Sequence, residues 1–184
     1  MTRGPQRIAE PLTLDGGKLG ALSFEWLGDR YCHQWQLNNQ SVLASVEGNS
    51  GCVWPDAPPL QQIHQQSFGD GREVVFGVGM SGRGHWSASF TLVPDLRCWI
   101  IELACRSPVK PDSLASSYQV SDAWKSASAG SWELQVGEAS VRLEPIQPAT
   151  IATRLDDLLK LFPTAISDIA PSTTQWAFRL RVTE

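Results

Sequence analysis

The chain has 184 residues, a length that fits one domain able to build its own hydrophobic core. Hydrophobic residues make up 42% of the sequence, which excludes a disordered or fibrous chain. Charged residues reach 18% and the formal net charge is -4, so no nucleic-acid partner is expected. The aromatic residues are 8 Trp, 6 Phe and 2 Tyr, and tryptophan serves both cores and binding surfaces.

The sequence predicts a cytoplasmic protein without a membrane partner. The N-terminal residues carry two arginines but no apolar run of the kind found in signal peptides. The longest apolar stretch, 98–105, is interrupted by Glu102 and is too short for a bilayer of about 30 Å. The 4 cysteines show no CxxC spacing, so free thiols are expected rather than disulfides or a structural zinc site.

Apolar and polar residues alternate through the N-terminal third, a pattern that predicts β-strands. Segments 22–26 and 31–37 alternate on either side of Gly28-Asp29, which predicts a hairpin. A third short strand is predicted at 42–46, joined to the hairpin as a meander.

The next two segments differ in composition. Residues 54–60, WPDAPPL, hold three prolines and predict an extended or turning loop without a hydrogen-bonded ladder. Residues 60–68, LQQIHQQSF, place Gln62, His64 and Gln66 on one face of an extended chain and are polar on both faces. This pattern is typical of an edge strand facing water or of a strand beside a polar cavity.

Long strands are predicted on both sides of the turn SGRG at 81–84. Residues 72–80 place large apolar side chains on one face and small residues on the other; the large ones are Val74, Phe76, Val78 and Met80. Segment 85–92 alternates again, and 98–105 follows as a third strand. These three strands are predicted to form the centre of a sheet.

The pattern is weak between 106 and 130 and returns as strands at 132–136, 141–143 and 176–182. A helix is predicted over 153–162, ended by Pro163. Thr153 and Asp156 have the capping-box form, and one apolar face is made by Leu155, Leu158, Leu159 and Phe162.

Together these elements predict a mainly β protein: an antiparallel β-barrel or β-sandwich of about nine or ten strands, with one short α-helix near the C-terminus. No shift in composition marks a boundary, so residues 1–184 are predicted to form a single all-β domain. A tandem of two half-barrels, divided near Pro108 and Pro111, is the alternative.

No motif of the sequence specifies an activity. Residues 77–82 match GxGxxG, but an alternating strand follows where dinucleotide binding needs a helix, so a glycine turn is predicted and no cofactor. A catalytic set such as Ser81, His85 and Asp70 has no specific support. Three imidazoles, His33, His64 and His85, would have to converge to bind a metal, and we expect none.

Tryptophan positions separate core from candidate contact residues. Six fall in phase with the apolar faces of predicted strands, which favours packing: Trp26, Trp35, Trp86, Trp99, Trp132 and Trp176. Trp54 and Trp124 fall in loops, so they are the candidates for exposed contact.

The segments WPDAPPLQ at 54–61, with His64 shortly after, and VGMSGRGHWSAS at 78–89 resemble a family of bacterial proteins without an assigned activity. The resemblance covers about a third of the chain. It implies a soluble bacterial protein and brings no catalytic residue or cofactor with it. It also groups five residues as a candidate ligand-binding site: Trp54, His64, Arg83, His85 and Trp86.

The sequence therefore favours a β domain that binds a small ligand or a protein partner at one rim of the sheet, where the proline loop and the glycine turn would meet. A hydrolase or metal-dependent enzyme using His64 and His85 is the alternative. A homodimer whose function is assembly is a third reading.

Overall fold

The computed structural model describes residues 10–49, 51–127, 130–146 and 150–183. The N-terminal strands are β1 (Leu12–Asp15), β2 (Ala21–Trp26), β3 (Tyr31–Leu37), β4 (Gln40–Ser45), β5 (Gln62–Ser67), β6 (Glu73–Ser81), β7 (Gly84–Val93) and β8 (Cys98–Ser107). The C-terminal strands are β9 (Ser116–Gln119), β10 (Lys125–Ser126), β11 (Trp132–Val136), β12 (Ala139–Pro145), β13 (Thr150–Leu155), β14 (Leu158–Pro163) and β15 (Ser172–Thr183). Short 3-10 turns lie at Gly17–Leu19 and Pro94–Leu96.

The strands form two antiparallel sheets. The first sheet has seven strands in the order β1-β2-β3-β4-β9-β14-β13, and the second has eight in the order β10-β11-β12-β15-β8-β7-β6-β5. Neither sheet closes into a barrel, and one hydrophobic core lies between them. The mainly β antiparallel prediction is confirmed, the architecture is a sandwich, and the predicted strand count was too low.

Period-two alternation located the hairpins correctly. β2 pairs with β3 so that Phe24 faces His33, and β6 pairs with β7 so that Phe76 faces Ser89. Along β7 buried and more exposed residues alternate from end to end, as expected when one face of a strand packs on a core. β15, which contains the segment predicted at 176–182, is the longest described strand and lies between β8 and β12.

The predicted helix over 153–162 is wrong, because this segment forms a hairpin. Leu155 faces Leu158 across a two-residue turn in which Asp156 has a φ of 53°. A helix would have buried Leu155 with the other leucines, but its side chain is 65% exposed. Leu159 and Leu161 are fully buried, and their spacing of two residues matches a strand. Pairing of β14 with β9 therefore overrode the local helical pattern.

The core joins both halves of the chain. Phe24 of the first sheet meets Phe90 of the second edge to face, with ring centroids 5.1 Å apart. The indole N–H of Trp99 donates to Leu19 O at 2.7 Å, and that of Trp176 donates to Ser116 Oγ at 3.0 Å. Because strands from both halves enter both sheets, the chain is not divided into half-barrels near Pro108 and Pro111.

Most tryptophans lie where strand phase predicted. Four are buried in the core, Trp35, Trp86, Trp99 and Trp176, and two pack against it half-buried, Trp26 and Trp132. Trp124 contradicts the prediction of an exposed contact residue, since it is 2% exposed and donates its indole N–H to Val42 O at 3.3 Å. The four cysteines are free, as expected.

Candidate functional site

The loop between β4 and β5 carries the chain from the first sheet to the second. We call its described part, 46–49 and 51–61, the crossing loop. Asp56 O accepts the Ser117 backbone N–H at 2.8 Å, and Leu60 O accepts that of Tyr31 at 2.7 Å. Ser81 Oγ donates to Cys52 O at 2.5 Å. The crossing loop is therefore fastened to both sheets.

Glycines of β6 allow this loop to lie against the strand. A Cβ on Gly79 would stand 1.7 Å from Pro59 O, and one on Gly77 would stand 2.9 Å from Leu60 Cδ2. Only glycine permits so close a backbone approach. The proline-rich and glycine-rich segments, which the sequence places at one rim, are neighbours for this reason.

Two of the five predicted site residues meet at this rim. A Cβ on Gly84 would lie 2.9 Å from Trp54 Cζ3 and 3.1 Å from Trp86 Nε1, so both indoles pack around that glycine. Trp86 is 2% exposed and meets Trp176 edge to face at 6.0 Å. Trp54 is half-buried against the core. Trp86 is thus a core residue, and Trp54 presents only part of its surface.

The other three predicted residues are exposed and stand apart from the tryptophans. Arg83 lies in the turn between β6 and β7, while His64 and His85 point away from the first sheet. Period-two alternation explains the division, because neighbours such as His85 and Trp86 lie on opposite faces of a strand. The predicted cluster is therefore split between the two sides of the second sheet.

The two exposed histidines also lie far from each other. His64 pairs with Phe76 and His85 pairs with Met80, four positions farther along β6. At about 3.3 Å per residue this offset is roughly 13 Å along the strand, so one metal ion cannot contact both imidazoles. In the described parts of the chain, no group of three or more His, Cys, Asp or Glu side chains could hold a metal.

A concave surface does exist on the solvent face of the second sheet, which we call the outer face. Near the middle of this face, β7 and β8 carry the small side chains Ser87, Ser89 and Ala104, between larger ones on β6 and Gln175 on β15. One register row shows the pattern, in the order Val78, Ser87, Ala104 and Gln175. We call the resulting hollow of ≈ 280 Å³ the outer trough; its outward side chains are Phe76, Ser87, Ser89, Glu102, Ala104 and Gln175.

The outer trough has one apolar side and one polar side. Phe76, which is 40% exposed, lines the apolar side of the outer trough. Val78 and Met80, 47% and 48% exposed, continue this apolar surface along β6. Across the floor, Ser89 Oγ donates to Glu102 Oε2 at 3.0 Å, and Glu102 retains further acceptor capacity. A second hollow of ≈ 360 Å³ continues toward the turn of the β6–β7 hairpin, between Gln62, Val78, Met80 and His85.

The sequence predicted that Val74, Phe76, Val78 and Met80 share one face of a strand. It did not predict that Phe76, Val78 and Met80 on this face would be exposed to solvent. The direction of this face depends on the crossing loop, since Leu60 and Pro59 occupy the core side of β6 and turn the larger residues outward. Glu102 and Gln175 were missed because their strands align only in the folded sheet. The glycines at 77 and 79 were the sequence feature that could have indicated that another segment packs against that side of β6.

The most perturbed titratable groups lie elsewhere, on β3, on β9 and in the crossing loop, and form a buried polar cluster. The His33 backbone N–H donates to Ser45 Oγ at 2.8 Å, and His33 Nε2 hydrogen-bonds the Tyr118 hydroxyl at 3.0 Å. Ser45 Oγ in turn hydrogen-bonds Glu47 Oε1. The second carboxylate oxygen of Glu47 has no partner among the described residues. Arg30 does not neutralise this carboxylate by direct contact, because it bonds Glu47 O at 3.4 Å and pairs with Asp29.

Burial dominates the protonation of this buried polar cluster. It lowers the pKa of His33 to about 3, so the imidazole is neutral. It raises the pKa of Glu47 to about 7, although the Ser45 hydrogen bond and the Arg30 charge act in the opposite direction. It also raises the pKa of Tyr118. The cavity beside His33 measures only ≈ 10 Å³, room for about one water, so the cluster is structural and no substrate reaches it.

Comparison with protein-family models gives no match, and comparison with curated proteins gives none either. The resemblance of 54–61 and 78–89 to a bacterial family therefore stays a prediction. Over the described residues, no helix has the length and apolar character needed to cross a membrane.

Proposed function

We propose that this protein is a non-catalytic binding domain whose small ligand lies in the outer trough. The observation that carries the proposal is the combination of a concave, solvent-open surface with an apolar side and convergent hydrogen-bonding groups. Ligand sites have this character, with apolar walls supplying contact area and a few polar groups setting orientation. The proposal keeps the small ligand predicted from the sequence but moves it away from the predicted rim, because the outer trough is lined by none of the five predicted residues, Trp54, His64, Arg83, His85 and Trp86.

The chemistry of the outer trough favours a neutral ligand with one apolar face, such as a short oligosaccharide. A sugar ring can lay its C–H face on an aromatic side chain such as Phe76 while its hydroxyls reach Ser89, Glu102 and Gln175. Glu102 is the single charged side chain among the described lining residues, and it disfavours anionic ligands. The polar floor disfavours a wholly apolar ligand, whose binding would strip water from these groups without replacing it.

The alternative of a hydrolase or metal-dependent enzyme using His64 and His85 receives no support from the site. Register separates the two side chains by roughly 13 Å along the strand, beyond the reach of one reacting atom. In the part of the chain that the structure describes, no side-chain hydrogen bond joins either histidine to a nucleophile.

The test is a binding screen of the full chain against immobilised neutral oligosaccharides, followed by calorimetry on those that bind. We expect Phe76→Ala to weaken binding about tenfold, the loss of one aromatic contact. Leu27→Ala is the matched control, because Leu27 is 58% exposed and lies between β2 and β3 of the other sheet. Glu102→Gln separates charge from hydrogen bonding.

Failure of every neutral oligosaccharide to bind would refute the ligand class. Binding that survives both Phe76→Ala and Glu102→Gln would refute the outer trough as its location. Thermal unfolding of each variant shows that the comparison is between folded proteins.

A further inference from the structure

The edge of the second sheet formed by β5 is open. Among the described strands β5 pairs only with β6, and its six residues, Gln62–Ser67, stay in continuous register without a bulge. Five of the six are exposed, and Ile63 is half-buried. Among the described residues, no backbone group pairs with the free side of this strand. Such an edge is a template for another strand.

β5 also lacks the devices that protect sheet edges. Its side chains are Gln, Ile, His, Gln, Gln and Ser, with no proline, lysine or acidic residue. The other three edges are shorter or carry a charge: β1 has four residues and ends on Asp15, β10 has two and contains Lys125, and β13 contains Arg154. An unprotected edge of this length is expected where pairing is wanted.

The lack of charge on β5 makes a second copy of this chain an acceptable partner. The chain has a net charge of -4, so two copies repel weakly at long range. At β5 itself no formal charge opposes their approach, and the carboxylate of Glu73 on β6 accepts hydrogen bonds from Gln65 and Ser67. A second copy therefore meets a neutral strand whose amide side chains can bond to each other.

We propose that β5 pairs antiparallel with β5 of a second copy, making a twofold dimer with one continuous sheet across both chains. A twofold axis perpendicular to the sheet keeps the two outer faces on the same side. Side chains on one face then meet their equivalents in one of two registers. Either His64 faces His64 of the second copy, or Gln65 faces Gln65.

Area sets the expected strength. A strand of six residues is about 20 Å long, and its edge covers less than the roughly 800 Å² per partner of a standard interface. The dimer is therefore expected in the micromolar range, with exchange between one and two copies. In the dimer the free edge of β5 is paired in both copies, so no further copy can add at this edge.

The experiment is sedimentation of the full chain from about 1 µM to about 300 µM, the range in which a micromolar dimer changes population. The mass should rise from 20.2 kDa toward twice that value as concentration increases. His64→Lys should raise the dissociation constant at least tenfold, because it places a charge in the middle of the edge. Gln40→Lys adds the same charge at an exposed position of β4 in the other sheet and should change nothing.

Disulfide trapping gives a readout that does not depend on a weakened variant. Paired Cα atoms across antiparallel strands are about 4.5–5.5 Å apart, within the range that a disulfide spans. We expect His64→Cys or Gln65→Cys to form a covalent dimer under oxidation, while Gln40→Cys and the unmodified chain, with its own four thiols, do not.

A chain that stays monomeric over the whole range and gives no trapped dimer overturns the proposal. A dimer unaffected by His64→Lys, or growth beyond two copies, also overturns it. Neither result depends on oligosaccharide binding, so this proposal and the proposed function fail separately.

Discussion

Replacement of Glu47 by glutamine isolates the effect of burying one carboxylate. Glu47 is 6% exposed, and its Oε2 atom has no partner among the described residues. Glutamine has nearly the same shape, and its side-chain oxygen can still accept the Ser45 hydroxyl that Glu47 Oε1 accepts. The substitution therefore removes the ionisable group while the local packing is kept.

The size of the effect follows from the change in pKa. The pKa of Glu47 rises from 4.5 in a solvated chain to about 7 in the fold, chiefly because of burial. At about 1.4 kcal/mol per pKa unit, ionisation of the folded protein costs about 3 kcal/mol. Below pH 4.5 the carboxyl is protonated in both states and contributes nothing to the pH dependence. Between pH 4.5 and about 7 the folded state binds the extra proton, so stability falls as pH rises.

The measurement is the free energy of unfolding in urea for both proteins, at about pH 4 and about pH 8. The difference in free energy of unfolding, Glu47→Gln minus the unmodified chain, should increase by about 3 kcal/mol from about pH 4 to about pH 8. For a chain of this length that increase corresponds to about 8 °C in melting temperature. His33, which must stay neutral inside the fold, makes both proteins less stable in acid and cancels in the difference. Glu25→Gln, an exposed carboxylate on β2, is the control and should show a far smaller change.

An advantage of Glu47→Gln that is equal at both pH values would refute the reasoning. So would an advantage that shrinks as pH rises, because it would mean that the folded state stabilises the ionised carboxylate.

Two further predictions concern packing and hydrogen bonding in the fold. Gly79→Ala should lower the urea midpoint substantially, since its Cβ would stand 1.7 Å from Pro59 O, whereas Gly69→Ala meets no atom within 4 Å and should be nearly neutral. Equal midpoints for the two variants would contradict the close approach of the crossing loop. Tyr118→Phe should cost about 1–3 kcal/mol in chemical denaturation, because it leaves His33 Nε2 buried without its 3.0 Å partner. An unchanged free energy of unfolding for Tyr118→Phe would show that this hydrogen bond does not stabilise the fold.

Strand periodicity was readable in the sequence because it reflects a simple geometry. Alternation in β7 and β15 places every second side chain on the core face, so the apolar phase can be recognised without knowing the partner strands. The polar pattern of 62–66 predicted either an edge strand or a strand beside a polar cavity, and β5 lies at an edge. The same logic placed Trp99 and Trp176 in the core before any contact was known.

Local patterns failed where pairing partners decided the conformation. Segment 153–162 has leucines compatible with both a helix and two short strands, and its pairing to β9 selected the strands. Trp124 lies in a segment with a weak alternation pattern. Only the fold shows that it is buried and that its indole N–H donates to Val42 O. Strands β9 and β10 were not predicted, because each has four residues or fewer and alternation cannot be recognised over so short a segment.

The candidate site depended still more on tertiary structure. The sequence predicted that the proline loop meets the glycine turn, and Trp54 does pack against Gly84. It could not separate Trp54 and Trp86 on the core side from His85 on the outer face. The outer trough arises from residues of β6, β7, β8 and β15, and the alignment of these strands in one sheet is a long-range property.

By itself, then, the sequence determined an acidic, tryptophan-rich β protein, the phase of its main strands and the polar character of both faces of β5. Only the tertiary structure showed that the two sheets form a sandwich, that Phe76 and Val78 are exposed, and that Glu47 is buried. The physical reason is that alternation is a property of one strand, whereas exposure depends on what covers that strand. At β6 the crossing loop covers the glycine side, and the apolar side is left facing water.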